Sequence, residues 1–172
     1  MGVDPGGVRP VYPADVTIRT ARPDDVPRLL ELIQALAEYE REPDAVETTM
    51  EGLHEHLFGA DPKVFGHVAV SGGRVVGMAI WFVTFSTWTG QHGVWLEDLF
   101  VDPEERGCGH GKALLAALAQ VCVERGYRRL EWTVLDWNAP SVAFYRSLGA
   151  EPLDEWTTQR LTGEALQLLA GV

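Results

Sequence analysis

The chain has 172 residues, 46% of them apolar, and a formal charge of −11. That length and apolar content suit one domain with a buried core and exclude a disordered polar chain, and no apolar run approaches the roughly 20 residues that cross a bilayer. The carboxylate excess argues against nucleic acid, whose binding rests on Lys and Arg neutralising phosphates, and suits a small cationic partner.

Residues 1–14 carry Gly, Pro and Asp without an apolar core. They read as a flexible tail, neither signal peptide nor anchor, ahead of a single domain at 15–172. Two cysteines, Cys108 and Cys122, make neither a metal box nor a disulfide framework. No metal is expected, and a reducing cytoplasm is the expected compartment.

Residues 16–21 alternate like an opening strand. Val26, Leu29, Leu30, Ile33, Leu36 and Ala37 then recur at helical spacing, with Pro27 tolerable because it falls in the first turn. This helix ends on Glu38, Tyr39, Glu40 and Glu42, where the macrodipole favours cations, which hints at a use for negative charge. Thr48 or Thr49 caps a short helix to Leu57. Residues 64–70 and 74–85 form a hairpin about Ser71, Gly72 and Gly73, with aromatics, including Trp88, at its far end.

Residues 92–101 form the next strand, on which alternation puts Leu96, Asp98 and Phe100 on one face and Trp95, Glu97, Leu99 and Val101 on the other. Glu97 and Asp98 are therefore expected to point apart. A helix at 112–125, apolar nearly all round, must be buried against the sheet and stops at Gly126. A strand at 129–135, a helix opened by Asn138 that stops at Gly149, a strand around 155–161 and, at 163–170, a short amphipathic helix or part of a subunit contact complete a mixed α/β chain.

Between strand and helix lies Arg106-Gly107-Cys108-Gly109-His110-Gly111-Lys112. Alternating glycines let several backbone N–H groups face one concavity at a positive helix end, which makes an anion site. It is no P-loop, because Arg106 stands where the first glycine belongs and Ala113 where Ser or Thr follows the lysine. Nor is it a dinucleotide fingerprint, because Lys112 replaces the third glycine.

The spacing R-x-x-G-x-G resembles the pyrophosphate loop of the GNAT superfamily of acetyl-CoA-dependent N-acetyltransferases. Trp137-Asn138-Ala139-Pro140-Ser141 with Phe144-Tyr145-Arg146 resembles that superfamily's last conserved block. The stretches 95–101, 37–40 and 84–88 resemble its diamine branch, the spermidine/spermine and thialysine enzymes. The resemblance implies a mixed, mostly antiparallel central sheet flanked by helices, with a splayed strand pair that holds the cofactor. It also implies that backbone groups of Leu99, Phe100 and Val101 pair with the pantetheine arm. Arg106, Gly107, Cys108, Gly109, His110, Gly111 and Lys112 would hold the pyrophosphate, and Asn138 and Ser141 would contact the cofactor's far end. Tyr145 matches the general acid, also beside the cofactor, and Glu97 the acidic substrate residue; Tyr39 and Glu40 line the amine site. Trp88 and Asp98 are added as substrate contacts, and a homodimer is implied.

The chemistry agrees with those roles. A primary aliphatic amine is protonated at neutral pH and must lose a proton before it attacks a thioester, which Glu97 can accept directly or through water. A leaving thiolate gains from a proton donor, and tyrosine, with a reference pKa near 10, still carries its proton at pH 7. Neither cysteine is placed to carry the acetyl group. His110 departs from the superfamily, which usually has an aliphatic residue there. The expected reaction is acetyl transfer from acetyl-CoA to a diamine, polyamine or thialysine-like amine; an antibiotic amine, a protein lysine, or a CoA-binding module without turnover are the alternatives.

Overall fold

The first strand, β1 (Val16–Thr20), leads into a helix whose entry is fixed by charge. Arg19 grips Asp25 through both guanidinium nitrogens, at 2.6 and 2.8 Å, and the backbone N–H of Arg22 donates to the same carboxylate. These bonds hold the Asp25 carboxyl below its ordinary range against the opposing effect of burial. Helix α1 (Val26–Glu40) follows, with Pro27 in its first turn, and ends where Arg41 takes a left-handed φ of 69°. Thr49 caps α2 (Met50–Phe58), its hydroxyl accepting from the N–H of Gly52 at 3.1 Å. The structure, a computed structural model, describes residues 16–171, so the tail expected at 1–14 lies outside the described residues.

Strands β2 (Val64–Ser71) and β3 (Arg74–Ser86) turn on Gly72 and Gly73, both at positive φ, as a two-residue hairpin turn requires. Then come β4 (Gln91–Val101), α3 (His110–Arg125) and β5 (Leu130–Glu131). The sheet order is β1-β2-β3-β4-β5, antiparallel except for the last, parallel pair. This is the mixed, mostly antiparallel sheet expected. The strand expected at 129–135 shrinks to two residues, because only Leu130 and Glu131 find partners, Val94 and Trp95.

Two layers cover the sheet. Val26, Leu29 and Leu32 of α1 and Leu53 and Leu57 of α2 pack with Val68, Met78, Ile80 and Phe100 on one face. The intervening residues of β3 point to the other face, where a side chain on Gly77 would meet Leu114 and where Arg125 lies 5.6 Å over the Trp81 ring. Ala113, Leu114, Leu115, Leu118 and Cys122 are buried there, as the all-round apolar helix anticipated. Trp81, itself buried, donates its indole N–H to Nδ1 of His67 at 3.0 Å, and burial with the nearby Arg125 charge lowers the His67 pKa.

Two compact units divide the chain, one up to Thr133 and the other from Val134. The second holds α4 (Ala139–Ser147) and α5 (Gly163–Ala170). The strand expected around 155–161 is absent; these residues form turn and coil with exposed side chains. No helix among the described residues is long and apolar enough to cross a membrane.

Candidate active site

The glycine loop folds as its composition demands. Gly107 and Gly109 have φ of 80° and 85°, a region that residues with a Cβ rarely enter. Gly109 is also the N-cap of α3, and no side chain caps that helix. The first intrahelical bond runs from Ala113 N–H to the Gly109 carbonyl, so the N–H groups of His110, Gly111 and Lys112 are left for an anion.

The route to this loop is an open strand edge. Pairing of β4 with β5 stops at Trp95, and beyond it no strand among the described residues flanks β4 on that side. Leu99, Phe100 and Val101 lie on this stretch. An extended chain with its own amides could pair there as an added strand. A charge network fixes the strand's end: Asp102 accepts from Arg28 at 2.6 Å and Arg74 at 3.0 Å, Arg28 also donates to the Val75 carbonyl, and Arg74 reaches Glu105 at 3.3 Å. The start of α1 is thereby pinned to the sheet just before the loop.

The opposite end of the stretch corrects an expectation. Leu96 pairs with Trp81 but Asp98 pairs with Ile80, so Glu97 is one residue too many and β4 bulges. Trp81 and Ile80 face opposite sides of the sheet, hence Leu96 and Asp98 do too; they do not share a face. Asp98 joins Phe100 on the α1 side. Trp95, paired with Phe82, is on that side as well, and its indole N–H donates to the Glu97 carboxylate at 3.0 Å. Glu97 and Asp98 therefore lean the same way instead of pointing apart. A classic bulge has this effect because its two residues share one partner.

The consequence is electrostatic. Partial burial, then the Glu97 charge, then the Glu40 charge push the Asp98 carboxyl up to about 6. Glu40, half-buried at the last turn of α1, is itself raised by burial. Three carboxylates from α1 and the bulge thus act on one place, and a cation there would relieve their repulsion. Tyr39 stands beside Glu40, with the Arg106 guanidinium 4.9 Å over its ring.

Tyr39, Glu40, Glu97, Asp98, residues 99–101 and the loop from Arg106 to Lys112 all belong to the first unit. Trp88 does not reach the bulge: it sits 87% exposed in the turn between β3 and β4, roughly 20 Å along the strand at about 3.3 Å per residue. His110 is buried with both ring nitrogens lacking a hydrogen bond, and the carboxylate of Glu105 stands 3.5 Å from Nε2. Sequence reasoning missed Trp95; its i, i+2 spacing to Glu97 was the available signal. In the second unit Asn138 is buried and caps α4, its side-chain oxygen accepting from Ser141 N–H at 3.3 Å, and Tyr145 lies on the same helix. No cluster of three metal-ligating side chains occurs among the described residues.

A mixed, mostly antiparallel sheet whose open strand edge leads to an uncapped, glycine-turned helix start is an α/β fold built around a backbone anion site. The acetyltransferase (GNAT) family matches residues 27–150. The chain belongs to that family and is an N-acetyltransferase. It is 37% identical over 171 residues to a thialysine N-epsilon-acetyltransferase of Sus scrofa, spanning 92% of this chain and 99% of that protein. It is 33% identical to the spermidine/spermine N(1)-acetyltransferase-like protein 1 of Homo sapiens, over 87% of this chain but 23% of that larger protein. Among solved structures, an integron cassette protein from the mobile metagenome of V. cholerae superposes with a TM-score of 0.77 at 26% identity, covering 92% of this chain and 99% of the other.

Proposed function

We propose that the protein transfers the acetyl group of acetyl-CoA to a primary amine of a small acceptor carrying a second cationic group, a diamine, polyamine or thialysine-like molecule. The observation that carries this reading is the convergence of Glu40, Glu97 and Asp98, with the Asp98 carboxyl pushed up to about 6. The thialysine enzymes, similar over nearly the whole chain, support the same substrate class.

Acetyl-CoA supplies the activated acetyl group. In this reading the N–H groups at the start of α3 hold its pyrophosphate, and the open edge at Leu99, Phe100 and Val101 aligns the pantetheine arm. Asn138 and Ser141 contact the cofactor beyond it. Tyr39 and Glu40 hold the acceptor's distal cation. The reacting ammonium gives its proton to the Glu97 and Asp98 pair, directly or through one water. Asp98 is the better poised acceptor, since a base matched to neutral pH combines availability with proton affinity. Tyr145 donates its phenolic proton to the departing sulfur. A homodimer accords with the exposed apolar side chains of the second unit, Trp156, Leu166, Leu168 and Leu169 among them.

The test is thiol release from acetyl-CoA with spermidine, putrescine, thialysine, an aminoglycoside and a lysine peptide, run beside calorimetric titration with coenzyme A. Turnover confined to the small diamines and thialysine is expected. Preference for the aminoglycoside or the peptide would reassign the acceptor. Coenzyme A binding with no turnover on any amine would mark a binding module.

A further inference from the structure

Arg106 heads the R-x-x-G-x-G stretch, yet its contacts lead away from the glycines. Its Nε–H donates to the Val101 carbonyl at 3.1 Å. Its guanidinium carbon lies 4.9 Å from the centre of the Tyr39 ring and 5.3 Å from that of Phe100. Both distances are within the reach of a cation over an aromatic face, and a planar guanidinium suits such stacking better than an ammonium does. Phe100 is anchored in the core, 4% exposed, so it fixes the guanidinium from the sheet side. Tyr39, by contrast, is 36% exposed on the last turn of α1, next to Glu40.

We propose that Arg106 is a positioning residue for the amine site: bound to Val101 and stacked on Phe100, it holds Tyr39 and the last turn of α1 beside the carboxylates of the bulge. This rests on the amine-acetyltransferase reading above. It assigns anion binding at the loop to the backbone N–H groups and gives the arginine a different task. The cofactor loop and the amine site thereby share one side chain. The guanidinium lies over the Tyr39 ring next to Glu40, so its loss is felt at the acceptor.

A double-mutant cycle of Arg106→Leu and Tyr39→Leu tests this, with Arg106→Lys and Tyr39→Phe as conservative controls. Two quantities are read: the amine KM at saturating acetyl-CoA, with spermidine as the acceptor, and the Kd of coenzyme A by calorimetry. A stacked cation at an exposed site contributes modestly, and the positioning of Glu40 adds to it, so Arg106→Leu is expected to raise the amine KM about three- to tenfold. The Kd of coenzyme A should change less than the KM. The double variant should be no worse than Tyr39→Leu alone, Tyr39→Phe should keep near wild-type KM, and Arg106→Lys should fall between. A Kd that rises tenfold while the amine KM stands still would overturn the proposal and return Arg106 to phosphate binding. Fully additive effects of the two leucine substitutions would also overturn it. Absence of spermidine turnover in the wild type would instead sink the functional reading on which the proposal rests.

Discussion

The glycine loop and the β4 bulge lie at opposite ends of the same few residues of strand, and they were built by different rules. The loop is local: Gly107 and Gly109 take left-handed φ angles that their own lack of a Cβ permits, and α3 begins uncapped where they end. The bulge is not local. Nothing in Trp95-Leu96-Glu97-Asp98 announces an extra residue; it exists because β3 offers Trp81 and Ile80 to Leu96 and Asp98. One end of the strand therefore makes a generic anion site from backbone, while the other makes a charge-selective site from side chains that a change of register turned together.

Substitutions can break that contrast in order of expected effect. Tyr145→Phe removes the assigned acid; turnover should fall about 10²- to 10⁴-fold while the Kd of coenzyme A stays near wild type. Unchanged turnover across the pH range would strip Tyr145 of that role. Gly109→Val puts a β-branched residue at a φ of 85°. Strain of this kind costs about 1–3 kcal/mol, so coenzyme A should bind roughly 10- to 100-fold more weakly. Amine affinity should suffer much less, and equal losses at both ends would indicate general misfolding.

Asp98→Asn sharpens the comparison from the other side. A carboxyl raised to about 6 makes the native state hold its proton where the unfolded chain, near 3.8, has released it. Stability is therefore lost as pH climbs between those two values and stays lost above them. The Asn variant should melt at a higher temperature than wild type at pH 8, with the gap closing toward roughly pH 4. Its kcat/KM for the amine should be lower, and the acidic limb expected near pH 6 in the wild type should be missing. A limb unchanged by the substitution would place the titrating base elsewhere.

The smallest effect belongs to His110. A buried polar group without a hydrogen bond costs about 1–3 kcal/mol, so His110→Leu should raise the unfolding midpoint in urea, and coenzyme A affinity should shift far less than in Gly109→Val. A lower midpoint would show that the imidazole and Glu105 support the loop.

The same contrast explains what the sequence made legible. The helices at Val26, Thr49 and Asn138 announced their starts through proline, threonine and asparagine, because first turns are satisfied by residues next in the chain. The anion loop could be read for the same reason. Strict alternation misplaced Leu96 relative to Asp98, since the face of a strand residue depends on a register set by its partner. Residues 129–135 and 155–161 carry strand-like sequence, but a strand needs a neighbour to hold its amides. Leu130 and Glu131 have one in β4, and residues 155–161 have no ladder. An imidazole in a glycine loop reads as exposed, and the one signal that His110 is buried was the aliphatic residue the superfamily usually has there.

The most direct measurement compares kcat/KM for acetyl transfer to putrescine with that for butylamine, which has the same carbon chain but no second cation, at saturating acetyl-CoA and pH 7.5. If Tyr39 and Glu40 hold a second positive charge while Glu97 and Asp98 receive the reacting amine, the diamine should be favoured by at least about tenfold, a difference of roughly 1.4 kcal/mol. The preference should shrink as salt is raised. Equal values for the two amines, at low and high salt alike, would contradict it.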